Sequence, residues 1–430
     1  MMGMQREPAP VVTNNGPDAA TRAPNQDLIG EPSPFDGMPG DGQVLSGLYN
    51  DDAATTDKRV ALLLPLSGAH GDLGRAMRHA AELALFDAAG DDFVLLPIDT
   101  EGSYEGGRLA AQKAITAGAK LILGPLFSDS VSGAGEVAKQ ANIPVLSFSN
   151  NIRAAEPGVW VNGLSPEDQI KRAAAYSVSQ GKYRFAALLP QNDYGRQISA
   201  SLDQIITSAG GSMGPVAFYQ PGSDAMEQTV KNFARYDQRH AALLSRKREL
   251  AAAGDSASQR ALQRLGGLDT LGEPDFNALI LPATGGDLRQ VSALLAYYDV
   301  DPANVQYIGT FGWNDPGLFA EPALNGGIFA APEPGNWNAF SARYRKTFGS
   351  EPPRIASLSY DSTALAAVLA GSDTGITMAG LTNVLGFSGI DGVFRLTADG
   401  RTQRGYAVMQ ISRSGAKMVS PAPPSFDAVF

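Results

Sequence analysis

The stretch LILGPLFSDS, residues 121–130, ends an apolar run at Gly-Pro and opens a loop carrying Ser128, Asp129 and Ser130 ahead of a helical segment. A hydroxyl-rich loop in that setting suits three chemistries: a nucleophile, a phosphate cradle, or a clamp on a small polar ligand. The nucleophile reading lacks its usual surroundings. No G-x-S-x-G elbow occurs, no histidine follows Ser128 at a spacing that marks a base, and the S-x-x-K, S-D-N and K-T-G set of serine transpeptidases is absent. The phosphate reading fails on residue type. GSYEGGRL, residues 102–109, places Arg108 and Leu109 where a Walker loop needs Lys and then Ser or Thr, and GAHGDLG, residues 68–74, has a G-x-x-G-x-x-G spacing that reads as a flexible turn. No catalytic residue is assigned.

Metals and cofactors fare no better. The chain has no cysteine, which excludes thiol catalysis, disulfides, iron–sulfur clusters and Cys-ligated zinc. Its three histidines, His70, His79 and His240, form no H-E-x-x-H pair and read as surface residues, so no metal and no cofactor is expected. A formal net charge of -10 argues against nucleic acid, whose binding draws on clustered Lys and Arg.

The elements that must position the loop are legible from the pattern. Residues 1–57 are rich in Pro, Gly, Asn and Asp without periodicity and read as a disordered tether. The opening MMGMQREPAP reads as a start and scar ahead of a mature segment from which an export signal has been removed, and no apolar run is long enough to cross a bilayer. From Arg59, apolar runs alternate with helical segments: VALLLPL, FVLLPI, LILGPL and PVLSFS form one series, and RFAALLP, GPVAFYQ, FNALILP and VQYIGTF a second. Runs too apolar to alternate in and out mean parallel sheets covered on both faces. The expected fold class is α/β, with two doubly wound lobes joined by several crossovers.

In detail, Ser165 is a helix N-cap followed by Pro166 at the first helical position, and GVFRLTADGRTQRGYAVMQI reads as a hairpin turning at Asp399-Gly400. The expected division gives residues 58–163 and 334–385 to the first lobe, 164–333 and 386–416 to the second, and 417–430 to a C-terminal tail. Residues 236–272 form a long segment that reads as a helical hairpin broken near 254–256 and concentrates Arg and Lys in an acidic chain. It is either a solvated helix pair on its own lobe or a docking surface for an acidic partner.

In doubly wound sheets a ligand sits beyond the carboxyl ends of the strands, and here those ends carry PLSGAHGDLG, DTEGSYEGG, GPLFSDS and SFSNN. Hydroxyl and amide side chains beside helix starts suit a carboxylate or another polar group; ordinary capping and turn residues are the competing reading.

These segments resemble the type I periplasmic binding proteins of the leucine/isoleucine/valine-binding family: VALLLPLSGAHGDLGRAMRHAAELAL, LILGPLFSDS, IPVLSFSNN, LLPQNDYGR and SLSYDSTALAA, over residues 59–414 with residues 236–272 as an insertion. The resemblance implies a ligand site between the lobes. Ser128 or Ser130 matches the serine that meets the ligand carboxylate. Ser147, Ser149, Asn150 and Asn151 match the next loop, with Asn151 in place of a threonine, and Tyr194 matches the tyrosine of Y-G. Two positions depart: Leu73 replaces an aromatic lid, and Phe311 stands where the family places an acid for the ligand ammonium. LLLPLSG, LSPED and FSGIDGVFRLTADGRTQRG are similar to a second branch, the penicillin-binding-protein activator lipoproteins. That branch implies a non-catalytic envelope regulator that stimulates a peptidoglycan synthase by contact, in the periplasm and held at the outer membrane by a lipid anchor missing from this chain. The alternative is an ABC-transporter solute-binding protein for an amino acid or related small polar molecule.

Overall fold

The computed structural model describes residues 58–373 and 375–426. The tether expected over residues 1–57 and the last residues of the expected tail lie outside them.

Strand β1 (Arg59–Leu64) is apolar after its first residue and has to be covered on both faces, which places it inside a sheet. It lies between β2 (Val94–Asp99) and β3 (Leu121–Leu123) in a five-stranded sheet ordered β2-β1-β3-β4-β5, completed by β4 (Val145–Ser147) and β5 (Val159–Val161), all parallel. On one face Leu62, Leu64, Leu123 and Leu146 pack with residues of α1 (Gly71–Ala88) and α12 (Ala356–Ala370). On the other, Ala61, Leu63, Ile122 and Val145 meet α2 (Tyr104–Thr116) and α3 (Ser128–Gln140). Each buried leucine or valine contributes roughly 1.5–3 kcal/mol over an exposed one.

The glycine spacing of GAHGDLG is not a flexible turn. After a short 3-10 turn at Gly68–His70, α1 begins at Gly71, and a Cβ at Gly74 would lie 2.0 Å from the Pro65 carbonyl oxygen. The glycine lets the helix start press directly on the end of β1.

The second lobe repeats the construction. Its seven-stranded sheet is ordered β15-β14-β10-β9-β8-β6-β7. The parallel members are β6 (Arg184–Pro190), β7 (Ser212–Tyr219), β8 (Ala278–Ile280), β9 (Gln306–Gly309) and β10 (Ile328–Ala331). Helix α4 (Pro166–Ser179) packs under β9 and β10; α5 (Asp193–Ser199) and α6 (Leu202–Ser208) follow β6, α7 (Ala225–Phe233) follows β7, and α10 (Gly285–Tyr297) follows β8. The insertion forms α8 (Tyr236–Ala253) and α9 (Ser256–Arg264), an antiparallel pair turning at Gly254, where Asp255 Oδ1 accepts the amides of Ala257 and Ser258 at 2.8 Å each.

The chain crosses between lobes after β5, again after β10 into α11 (Pro334–Phe348), and again after β13. Here the expected division needs correction. Strands β11 (Phe387–Gly389), β12 (Gly392–Leu396) and β13 (Thr402–Arg404) form a small antiparallel sheet whose Phe394 and Leu396 enter the first lobe's core. Trp160 Nε1 donates to the Thr397 carbonyl at 2.8 Å, fastening that hairpin against the edge of the first sheet. Only β14 (Ala407–Ser412) and β15 (Gly415–Ser420) join the second sheet, both antiparallel to their neighbours, so part of the expected tail is a strand.

Candidate functional site

The carboxyl ends of the two sets of parallel strands carry the expected site residues. On the first lobe, Leu73 is half-buried in the opening turn of α1. Ser128 is the first residue of α3, also half-buried, and its hydroxyl has no protein partner among the described residues. Ser130 is different. The same helical turn rolls it inward, where it is fully buried and its Oγ donates to the Ser103 carbonyl at 2.9 Å, pinning α3 to the start of α2. Of the two serines offered for a ligand carboxylate, only Ser128 keeps a free hydroxyl.

The loop after β4 is similarly divided. Ser147 is enclosed within the strand, its Oγ without a hydrogen-bond partner. Ser149 Oγ accepts the Asn151 amide at 3.1 Å, and Asn151 Oδ1 accepts the Arg153 amide at 3.1 Å to cap a 3-10 turn. These two side chains shape their own loop, as the competing capping reading has it. Asn150 leaves its side chain exposed while its carbonyl faces the other lobe.

The second lobe's wall is built on the start of α4. Ser165 caps that helix by accepting the Asp168 amide at 3.3 Å, with Pro166 in its first turn. Glu167 follows, nearly buried, accepting from Ser165 Oγ at 2.9 Å and from Gln197 Nε2 at 2.8 Å. Tyr194, in the first turn of α5, pairs its hydroxyl with Thr310 Oγ1 at 3.2 Å, and burial raises its pKa. Phe311 follows β9; its amide donates to Gln169 Oε1 at 2.6 Å and its half-buried ring packs on the second lobe's core.

Gln197 and Arg354 reach across the crevice. Gln197 Nε2, besides holding Glu167, lies 3.3 Å from the Asn150 carbonyl of the first lobe. Arg354, in the loop before α12, sets its guanidinium 5.0 Å from the Phe311 ring centroid and 4.4 Å from that of Trp337. Its nitrogens donate to Asp391 Oδ1 at 2.6 Å and Ser357 Oγ at 2.9 Å. Behind it lies a buried polar cluster. Asp361 accepts the amides of Ile390 and Asp391 at 2.8 and 3.3 Å, and burial, reinforced by the Asp391 carboxylate, pushes its pKa up to about 7. Arg404, stacked 4.9 Å from Phe394, donates to Asn162 Oδ1 at 3.0 Å in the first crossover.

Sequence reasoning missed Arg354, Trp337 and the acids behind them. Asp361 lies inside SLSYDSTALAA and Asp391 inside FSGIDG, so the signal available was a carboxylate placed within an apolar helix and another within a glycine-flanked turn. Such carboxylates need partners if buried.

Of the three histidines, His70 is exposed and the other two are tied into the structure. His79, read from sequence as a surface residue, is buried and stacks on Phe348 at 4.4 Å between ring centroids, while His240 Nδ1 lies 2.6 Å from the Asp269 carbonyl. Among the described residues no group of three or more His, Asp or Glu could hold a metal ion, and no helix is long and apolar enough to cross a membrane.

A model of the family described as periplasmic binding protein matches residues 58–416. The chain belongs to that family. Among solved structures, one described as a branched-chain amino acid ABC transporter from Rhodospirillum rubrum superposes with a TM-score of 0.66 at 17% identity, over 84% of this chain and 99% of that one. Among curated relatives, an uncharacterized protein of Rickettsia prowazekii is 31% identical over 194 residues, 44% of this chain and 52% of that protein. Penicillin-binding protein activator LpoA of Pasteurella multocida is 29% identical over 171 residues, 37% of this chain and 27% of that protein. The match thus spans about half of the first relative and about a quarter of the second.

Proposed function

We propose that this periplasmic binding protein is a non-catalytic regulator of the cell envelope that stimulates a penicillin-binding protein through direct contact. The observation that carries this reading is the pairing of Phe311 with Arg354. Where the family takes a ligand ammonium onto an acid, this chain presents an aromatic ring already facing a cation of its own. At the Phe311 position an incoming ammonium finds no counter-charge, since Glu167 on the same wall is already engaged by Ser165 and Gln197, and burying an unpaired cation costs several kcal/mol. The crevice is thereby suited to holding the lobes together, not to collecting free amino acids. The activator names among the relatives support the partner class. The work is placed in the periplasm, with a lipid anchor at the outer membrane.

The test is to measure glycan polymerisation and cross-linking by the source organism's penicillin-binding proteins with and without the purified protein. Stimulation of one synthase, with direct binding in a pull-down, is the expected result. Absence of binding and stimulation across the whole set, together with a melting-temperature rise on adding an amino acid, would replace this reading with the solute receptor.

A further inference from the structure

We propose that Arg354 serves the crevice as a tethered ligand: its guanidinium occupies the place of an external cation and keeps the two lobes in contact without a small molecule. The inference concerns the crevice alone and does not depend on any partner of the protein.

The guanidinium is held firmly from one side. Asp391 is fully buried and accepts both Arg354 Nη2 at 2.6 Å and Ser357 Oγ at 2.7 Å. The turn that carries Asp391 is fixed in its turn by Asp361, which accepts the amides of Ile390 and Asp391. Only glycine fits at the neighbouring position, because a Cβ at Gly389 would lie 2.3 Å from Asp361 Oδ2. Trp337 stacks on the guanidinium from α11. Asp391, Ser357, Trp337 and Asp361 all belong to the first lobe or to the small sheet packed on it.

Phe311 is the exception. Its ring packs on the second lobe's core and its amide is tied to Gln169 of α4. Of the groups around Arg354, it alone crosses the crevice. A planar, always-charged guanidinium can keep its carboxylate bond while offering a face to an aromatic ring, which an ammonium cannot do equally well. The second point of contact, Gln197 to the Asn150 carbonyl, is a single hydrogen bond of 3.3 Å and leaves Arg354 as the stronger tie. An ordinary solute receptor closes on its ligand; in this arrangement the closing group is part of the chain.

The chain has no cysteine, so introduced cysteines label cleanly. Gln112→Cys on α2 and Gln204→Cys on α6, both exposed, report the distance between the lobes when spin-labelled and read by pulsed electron paramagnetic resonance. Without any added small molecule, the otherwise native protein is expected to give one narrow distance distribution. Phe311→Leu, which leaves the Arg354–Asp391 pair intact, is expected to add a second population at a different distance, and Arg354→Lys to do the same. Phe311 is only half-buried, so that variant is expected to fold, with native circular dichroism as the check. A Phe311→Leu distribution that superposes on the native one overturns the proposal, as does a native protein that already divides between two separations.

Discussion

The crevice and the helical hairpin of the second lobe are both rich in charge, and they use it in opposite ways. Around Arg354 the charged groups are withdrawn from water: Asp391 is fully buried and accepts from Arg354, and Arg404, nearly buried, donates to Asn162 Oδ1 although its Nε finds no partner among the described residues. On the hairpin the charges stand in solvent. Helix α8 buries only Leu243 and Leu250, α9 buries no residue fully, and Arg248 and Arg264 have no ion-pair partner among the described residues. The hairpin is nevertheless rigidly rooted, since Arg239 at its base donates to the carbonyls of Gly272 and Asp299 at 3.0 Å each. Buried charge is specific because losing one partner strands the other; exposed charge is exchangeable because water replaces the partner.

That contrast can be broken or sharpened by experiment. The largest effect is expected for Asp391→Ala, which strands the Arg354 guanidinium and leaves Ser357 Oγ only the Arg354 carbonyl, 3.1 Å away: urea denaturation should show a loss of about 3–5 kcal/mol. A loss below about 1 kcal/mol would mean that the cluster is far more hydrated than its burial indicates.

Next comes Leu243→Ala, which removes one of the two leucines buried along α8. Truncating a buried leucine costs about 2–5 kcal/mol where the whole fold feels it, but here the loss should stay local. Amide hydrogen exchange should accelerate in α8 and α9 while protection in the two sheets is unchanged. Faster exchange in the sheets as well would make the hairpin a part of the second lobe's core.

The third expectation concerns pH. Burial raises Asp361 to about 7 and Asp168 to about 6, in each case with a neighbouring carboxylate adding to the shift. A carboxyl raised above its ordinary value of 3.8 binds its proton more tightly in the folded chain. Its stabilising contribution is full at lower pH and is lost as pH rises through the folded value, near 7 for Asp361. Compared with Asp361→Asn, the native protein's melting temperature should therefore fall between about pH 4 and pH 7. A constant difference between the two would show that Asp361 does not titrate there.

The smallest effect belongs to the hairpin surface. Arg248→Glu and Arg264→Glu should each change stability by no more than about 0.5 kcal/mol. A larger loss would place those arginines in contacts that matter to the fold.

Much of this architecture was legible in the residues. A parallel strand covered on both faces has to be a continuous apolar run, so VALLLPL and RFAALLP announce themselves, and Ser165-Pro166 marks the start of α4 because capping chemistry is local. What escaped depends on distant partners. Residues 392–411 read as one hairpin from their own pattern, yet nothing in that pattern says that 402–404 pairs with the strand carrying Phe394 in the first lobe while 407–411 leaves for the second sheet. Ser130 and Ser128 are equivalent in composition and differ only in which way the helix turns them. Arg354 gains its role from Trp337, Asp391 and Phe311, three residues brought together only by the crossovers.

The central claim, that the crevice is served by the chain's own cation in place of an amino acid, is tested most directly by isothermal titration calorimetry. Titrating the purified native protein with leucine, isoleucine and valine should give no saturable heat. One-to-one binding that Ser128→Ala weakens would contradict it and return the crevice to a solute site.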